Sequence, residues 1–101
     1  MYTEEKKFRL YLTVLRFLTF KITPNLRRIF LDFDMNSKRM KLSAFYDGMP
    51  SELEEELFDD IVTNSNAHIP DFFIEGQIKT IKELDQNEKH DFIIFAPYEP
   101  E

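Results

Sequence analysis

Two alternating runs, Leu26–Asp34 and Arg39–Asp47, stand only four residues apart, and no other feature constrains the fold of this chain as strongly. In an extended strand successive side chains point to opposite faces. Ile29, Leu31 and Phe33 therefore point one way, and Arg28, Phe30, Asp32 and Asp34 the other. In the second run Met40, Leu42, Ala44 and Tyr46 share a face, and Lys41, Ser43, Phe45 and Asp47 take its reverse. The gap Met35–Lys38 has room for a turn and nothing more, so the two runs form a hairpin. Its first face is apolar and must be covered by what lies elsewhere in the chain.

Two helical patterns supply the cover. Thr3 caps a helix whose first turn carries Glu4 and Glu5, the favoured sign at a helix N-terminus. Phe8, Tyr11, Leu12, Leu15 and Leu18 then recur at helical spacing and predict a helix over about residues 4–19. Leu10, Val14 and Phe17 widen its apolar surface, leaving Arg9, Thr13 and Arg16 as a narrow wet edge. Such a helix is covered on two sides, by the sheet and by a second helix or loop; this reading is preferred to a dimer contact, and the chain is expected to be a monomer. Pro24 and Asn25 turn the chain into the hairpin. After the turn Asp47-Gly48-Met49-Pro50, Ser51 with Glu54 three residues on is a capping box, starting a helix that runs to about Asn64–His68, before Pro70. Leu53, Leu57 and Ile61, with Phe58 beside them, are its expected buried face.

Phe72–Leu84 is strand-like, with Gly76 marking a bulge or a close approach. Phe92–Ala96 is short and almost wholly apolar, which suggests a strand inside the sheet. The expected fold class is α/β, more narrowly α+β, in the order α-β-β-α-β-β. It is one domain over residues 1–101, a four-stranded, mainly antiparallel or mixed sheet with two helices packed on one face. The other face would be partly open, with Phe30 and Phe45 on it.

Composition narrows the chemistry. Hydrophobic residues make up 43% and aromatics 15%, with 11 Phe, enough for one core. The absence of cysteine excludes disulfides, thiolate chemistry and Cys-ligated zinc, and it suits a cytoplasmic protein. Thr13, Arg16 and Thr19 interrupt Leu10–Phe20, so no signal peptide or membrane span is expected. Asp32 and Asp34 share a strand face, but hard-cation sites need several converging oxygens, and spacing identifies no third ligand. His68 lies near a helix end and His90 between Lys89 and Asp91, neither beside a recognisable nucleophile. No enzyme activity, catalytic residue, metal or cofactor is expected. Arg27, Arg28, Lys38, Arg39 and Lys41 are interrupted by Asp32, Asp34 and Asp47, which argues against a nucleic-acid surface.

Charge is the sharper signal. Residues 1–50 carry ten Lys and Arg against five Asp and Glu; residues 51–101 carry three against fourteen. On the second helix Glu52, Glu55, Glu56 and Asp59 fall opposite Leu57 and Ile61. Glu52 with Glu56, and Glu55 with Asp59, are like-charge pairs at i,i+4, each costing about 0.2–0.5 kcal/mol. No Lys or Arg occurs between Glu52 and Asp71. The helix dipole favours Glu52 and Glu54 but not Asp59 or Asp60. A cationic partner would relieve this repulsion, so Asp47, Glu52, Glu55, Glu56, Asp59 and Asp60 are the expected partner-binding residues. An ordinary solvated acidic face is the plainer alternative.

Three segments together carry a resemblance: Ile22-Thr23-Pro24-Asn25-Leu26-Arg27; the strand ending Asp32-Phe33-Asp34; and Phe45-Tyr46-Asp47-Gly48-Met49-Pro50-Ser51-Glu52 before the acidic helix. Over about residues 8–95 the chain resembles small bacterial immunity proteins of contact-dependent growth inhibition systems. The resemblance implies a cytosolic antidote that binds the toxic C-terminal domain of a delivered effector, in many cases a basic nuclease. It offers no catalytic residues. A small adaptor or regulatory protein binding a basic cellular protein is the alternative function.

Overall fold

The computed structural model describes residues 2–97. Helix α1 spans Tyr2–Leu15 and tightens into a 3₁₀ turn at Arg16–Leu18. Strands β1 (Leu26–Asp34) and β2 (Arg39–Tyr46) follow, then α2 (Glu52–His68), β3 (Phe73–Thr80), a 3₁₀ turn at Ile81–Glu83 and β4 (Phe92–Phe95). The order α-β-β-α-β-β is as expected.

β1 and β2 form the antiparallel hairpin, pairing Ile29 with Ala44, Leu31 with Leu42 and Phe33 with Met40. A register shift between Leu26 and Arg28 has a clear consequence. Strict alternation back from Ile29 would put Arg27 in the core, whereas the bulge puts Leu26 there, 2% exposed, and leaves Arg27 outside. The sheet order is β3-β2-β1-β4. β4 is antiparallel to β1, but β3 is parallel to β2, so the sheet is mixed. The cause is the connection: β2 reaches β3 through α2, and a crossover helix returns the chain to the same end of the sheet.

Both helices cover one face. Val14 and Leu18 from the α1 segment, Phe58 and Ile61 from α2, and Ile29, Leu31, Met40, Leu42, Ala44, Ile74 and Ile94 from the strands form one core. Gly76 is the close approach rather than a bulge. A Cβ there would lie 2.8 Å from Val62 Cγ2 and 2.9 Å from Phe58 Cε2, so only glycine lets α2 sit this near β3.

Four expectations change. The buried face of α2 is Glu54, Phe58, Ile61 and Ser65, and Leu53 is 61% exposed. On α1 the buried flank is the one bearing Val14, while Phe8 and Leu12 are about half exposed. β4 is an edge strand, not an inner one; its apolarity serves the core through Ile94 and through Phe92, which stacks on Tyr11 of α1 at 4.6 Å. The far face of the sheet is not open at Phe30 and Phe45, which are both buried. His90 stacks on Phe30 at 4.0 Å, Phe45 meets Phe30 edge-on at 5.6 Å, and Lys79 lies over the Phe45 ring.

Candidate functional site

Ser51 starts α2 as expected. Its hydroxyl accepts from the Glu54 N–H at 3.1 Å, and Glu54 Oε1 accepts from the Ser51 N–H at 2.9 Å. Glu54 also accepts hydrogen bonds from the Thr23 hydroxyl and the Asn25 side-chain amide. Burial pushes the Glu54 carboxyl up. The bonds from Thr23, the Ser51 N–H, Asn25 and the Ser51 hydroxyl outweigh that, and hold it below its ordinary value. Burial, and then the nearby Glu54 carboxylate, push the Tyr46 phenol up to about 12. This network ties the loop from Thr19 to Asn25 against the start of α2.

That loop divides the acidic residues. Lys21 pairs with Asp60 at 3.3 Å, and Arg27 with Asp47 at 3.6 Å. Asp60 and Asp47 thus have cationic partners within the chain. Glu52, Glu55, Glu56 and Asp59 are exposed and have no ion pair among the described residues. They make a carboxylate ridge along the outer side of α2.

Apolar side chains flank the ridge where sequence reasoning did not place them. Leu53 is 61% exposed on α2 and Met49 85% exposed in the preceding turn. Ile22 is 43% exposed, and Phe20 is 94% exposed on a backbone with φ of 64°. A bulky residue rarely adopts that conformation, and here the Lys21 N–H closes the turn onto the Leu18 carbonyl at 2.9 Å. The sequence signal for this exposure is the run Thr19-Phe20-Lys21-Ile22, with no helical or strand alternation to bury Phe20. On the other flank of α2 lies a groove of about 420 Å³ lined by Glu55, Phe58, Asp59, Val62, Gly76 and Ile78.

The remaining candidates hold the structure together. Asp32 accepts from the Asp91 N–H at 3.0 Å, and Asp91 accepts from the Phe33 N–H at 2.8 Å. His90 Nδ1 lies 2.8 Å from Asp32, and Lys7 pairs with Asp91 at 3.2 Å. This clasp fastens the loop before β4 to β1. Asp34 instead binds the turn at Asn36 and Ser37, and the Ser37 hydroxyl and N–H hold its carboxyl below the ordinary value. The two aspartates therefore serve different loops. Among the described residues no three His, Asp or Glu side chains converge as a metal site. His68 Nδ1 lies 2.9 Å from the Asn64 carbonyl near the helix end, its ring against Phe17.

The surface that remains is a ridge of carboxylates with no ion pair among the described residues and with apolar flanks, a surface suited to binding. The family model of the MafI2 immunity proteins matches residues 7–99. The chain belongs to the MafI2 immunity protein family. The resemblance to immunity proteins is met at that level, and membership implies an immunity protein of a polymorphic-toxin type of system that binds a cognate toxin protein. No curated protein matches the chain. For an immunity protein the ridge and its flanks are the natural candidate surface: interfaces center on apolar and aromatic anchors, with charge setting orientation and encounter. No described helix is long and apolar enough to cross a membrane.

Proposed function

We propose that this chain is a cytoplasmic, monomeric, single-domain antidote, without enzyme activity. It neutralises the toxic C-terminal domain of a contact-dependent growth inhibition effector, a basic nuclease, by laying the α2 ridge across that domain's cationic substrate surface. One observation carries the reading: Glu52, Glu55, Glu56 and Asp59 are exposed without cationic partners among the described residues, while Asp47 and Asp60 beside them are paired. The four carboxylates repel one another along the helix, and a cationic surface relieves that repulsion on binding. Leu53, Met49, Ile22 and Phe20 supply apolar contact alongside. Asp47 and Asp60 belong to the rim, where exchange of one cation for another changes little.

Co-expression with the toxic domain of the cognate effector tests this. The unaltered chain is expected to protect cells and to co-purify with the domain as a one-to-one complex. The variant Glu55→Lys with Glu56→Lys and Asp59→Lys is expected to stay folded and to lose protection. Toxicity undiminished by the unaltered chain would reject the reading; protection by the folded triple variant would remove the ridge from the interface.

A further inference from the structure

β3 is an edge strand, and its outer backbone is unevenly guarded. In a parallel pairing alternate residues bond to the neighbour, and those between point their N–H and C=O away. The outward set here is Ile74, Gly76, Ile78 and Thr80, as Asn66 reveals: its side-chain amide accepts from the Ile74 N–H at 2.9 Å and donates to the Ile74 carbonyl at 3.0 Å. Asn66 thus stands in for a neighbouring strand at one end. At the other end the Thr80 N–H donates to Glu83 at 2.9 Å. Between these stops, the N–H and C=O of Gly76 and Ile78 have no partner among the described residues. Exposed edges of this kind are templates for a further strand, and no proline interrupts this one.

The groove between α2 and β3 is lined on its strand side by the same two residues, Gly76 and Ile78. Phe58, Val62 and Ile78 give it an apolar floor, and Glu55 and Asp59 an acidic wall. At Gly76 the Val62 and Phe58 side chains close down on the strand, where only a glycine leaves them room. We propose that a short extended segment of the toxin adds to the outer edge of β3 at Gly76–Ile78, and that it carries a Lys or Arg in the groove. Backbone pairing supplies register. The aliphatic stem of the cation lies on Val62 and Ile78, and its charged head meets Glu55 and Asp59. The inference rests on the toxin-binding reading and deepens it. It assigns Glu55 and Asp59 to the strand-adding flank of the ridge, and explains why the edge is capped at its ends but not at its centre.

Amide hydrogen exchange by NMR, on the unaltered chain alone and in complex with the cognate toxic domain, is the test. The Gly76 and Ile78 amides are expected to exchange rapidly in the free chain and at least about a hundredfold more slowly in the complex. Ile78→Pro removes one outward donor and no bond to β2, since proline is tolerated at edge positions whose N–H faces outward. It is expected to weaken binding at least about tenfold; a folded proline variant that binds like the unaltered chain would overturn the proposal. If that variant fails to fold, the exchange measurement on the unaltered chain decides alone. A complex that forms while both amides exchange as in the free chain would reject edge pairing and leave the toxin-binding reading intact. Failure to form any complex would reject that reading first, and edge pairing with it.

Discussion

Glu54 is the residue on which several separate requirements meet. It completes the capping box, anchors Thr23 and Asn25, and sits against Tyr46 in the core. Glu54→Gln keeps the shape and removes the charge, so the charge-assisted bonds weaken, at a cost of about 1–2 kcal/mol near neutral pH. The folded carboxyl lies below its ordinary value of 4.5. Its contribution is therefore complete above that value and is lost as pH falls through the lower folded one. Denaturant titrations of both proteins across that window should show the difference shrinking as pH drops. Ser65 is the opposite case. It is fully buried in α2, and its hydroxyl has no partner among the described residues. Ser65→Ala removes an unsatisfied group and improves helix propensity, so a gain of about 1 kcal/mol and a rise in Tm of roughly 4–8 °C are expected by calorimetry.

At the scale of elements, the loop before β1 and the contact of α2 with β3 place the binding surface. Phe20 is held exposed on a left-handed backbone, a local cost of about 1–3 kcal/mol for a bulky residue. Phe20→Gly should raise Tm while weakening toxin binding about tenfold or more, the signature of a residue kept for contact rather than stability. Thermal melts and calorimetric titration measure the two effects; tighter binding would discard Phe20 as an anchor. Gly76→Ala tests the packing of α2 on β3. The new methyl meets Val62 and Phe58 below 3.0 Å, so a loss of about 1–3 kcal/mol is expected from chemical denaturation. The elements were legible in outline because their signals are local: hairpin alternation, the Ser51–Glu54 box, and Gly76 within the strand-like run Phe72–Leu84. Leu53 was misread because it shares a helical stripe with Leu57, whereas Thr23 and Asn25 draw Glu54 inward and turn the helix about its axis.

For the whole molecule, four carboxylates of the acidic second half, Glu52, Glu55, Glu56 and Asp59, line up as one exposed ridge on α2, while Lys21 and Arg27 of the first half neutralise its margins at Asp60 and Asp47. An uncompensated ridge of like charge steers a cationic partner, and salt screens it over about 10 Å at 0.1 M. The association rate with the toxic domain should fall on the order of tenfold or more as salt rises from low to high concentration. For the triple charge reversal the slope should flatten or invert. Stopped-flow mixing at several salt concentrations reads both; a rate independent of salt for the unaltered chain would count against steering by the ridge.

What the sequence determined by itself was local. Side-chain periodicity set the two helices and the hairpin, and the capping chemistry set where α2 begins, because each depends on residues a few positions apart; the bulge at Leu26–Arg28 breaks the alternation and shows only in the paired strands. The bias of charge toward residues after Ser51 was equally plain. Tertiary structure alone decided which carboxylates stay unpaired, since Lys21 lies 39 positions from Asp60 and meets it only through the loop packed on α2. It also decided that β3 lies parallel to β2 at one edge and β4 at the other, and that His90 covers Phe30. These outcomes depend on how helices and strands compete for a single apolar face, and no short stretch of chain carries that information.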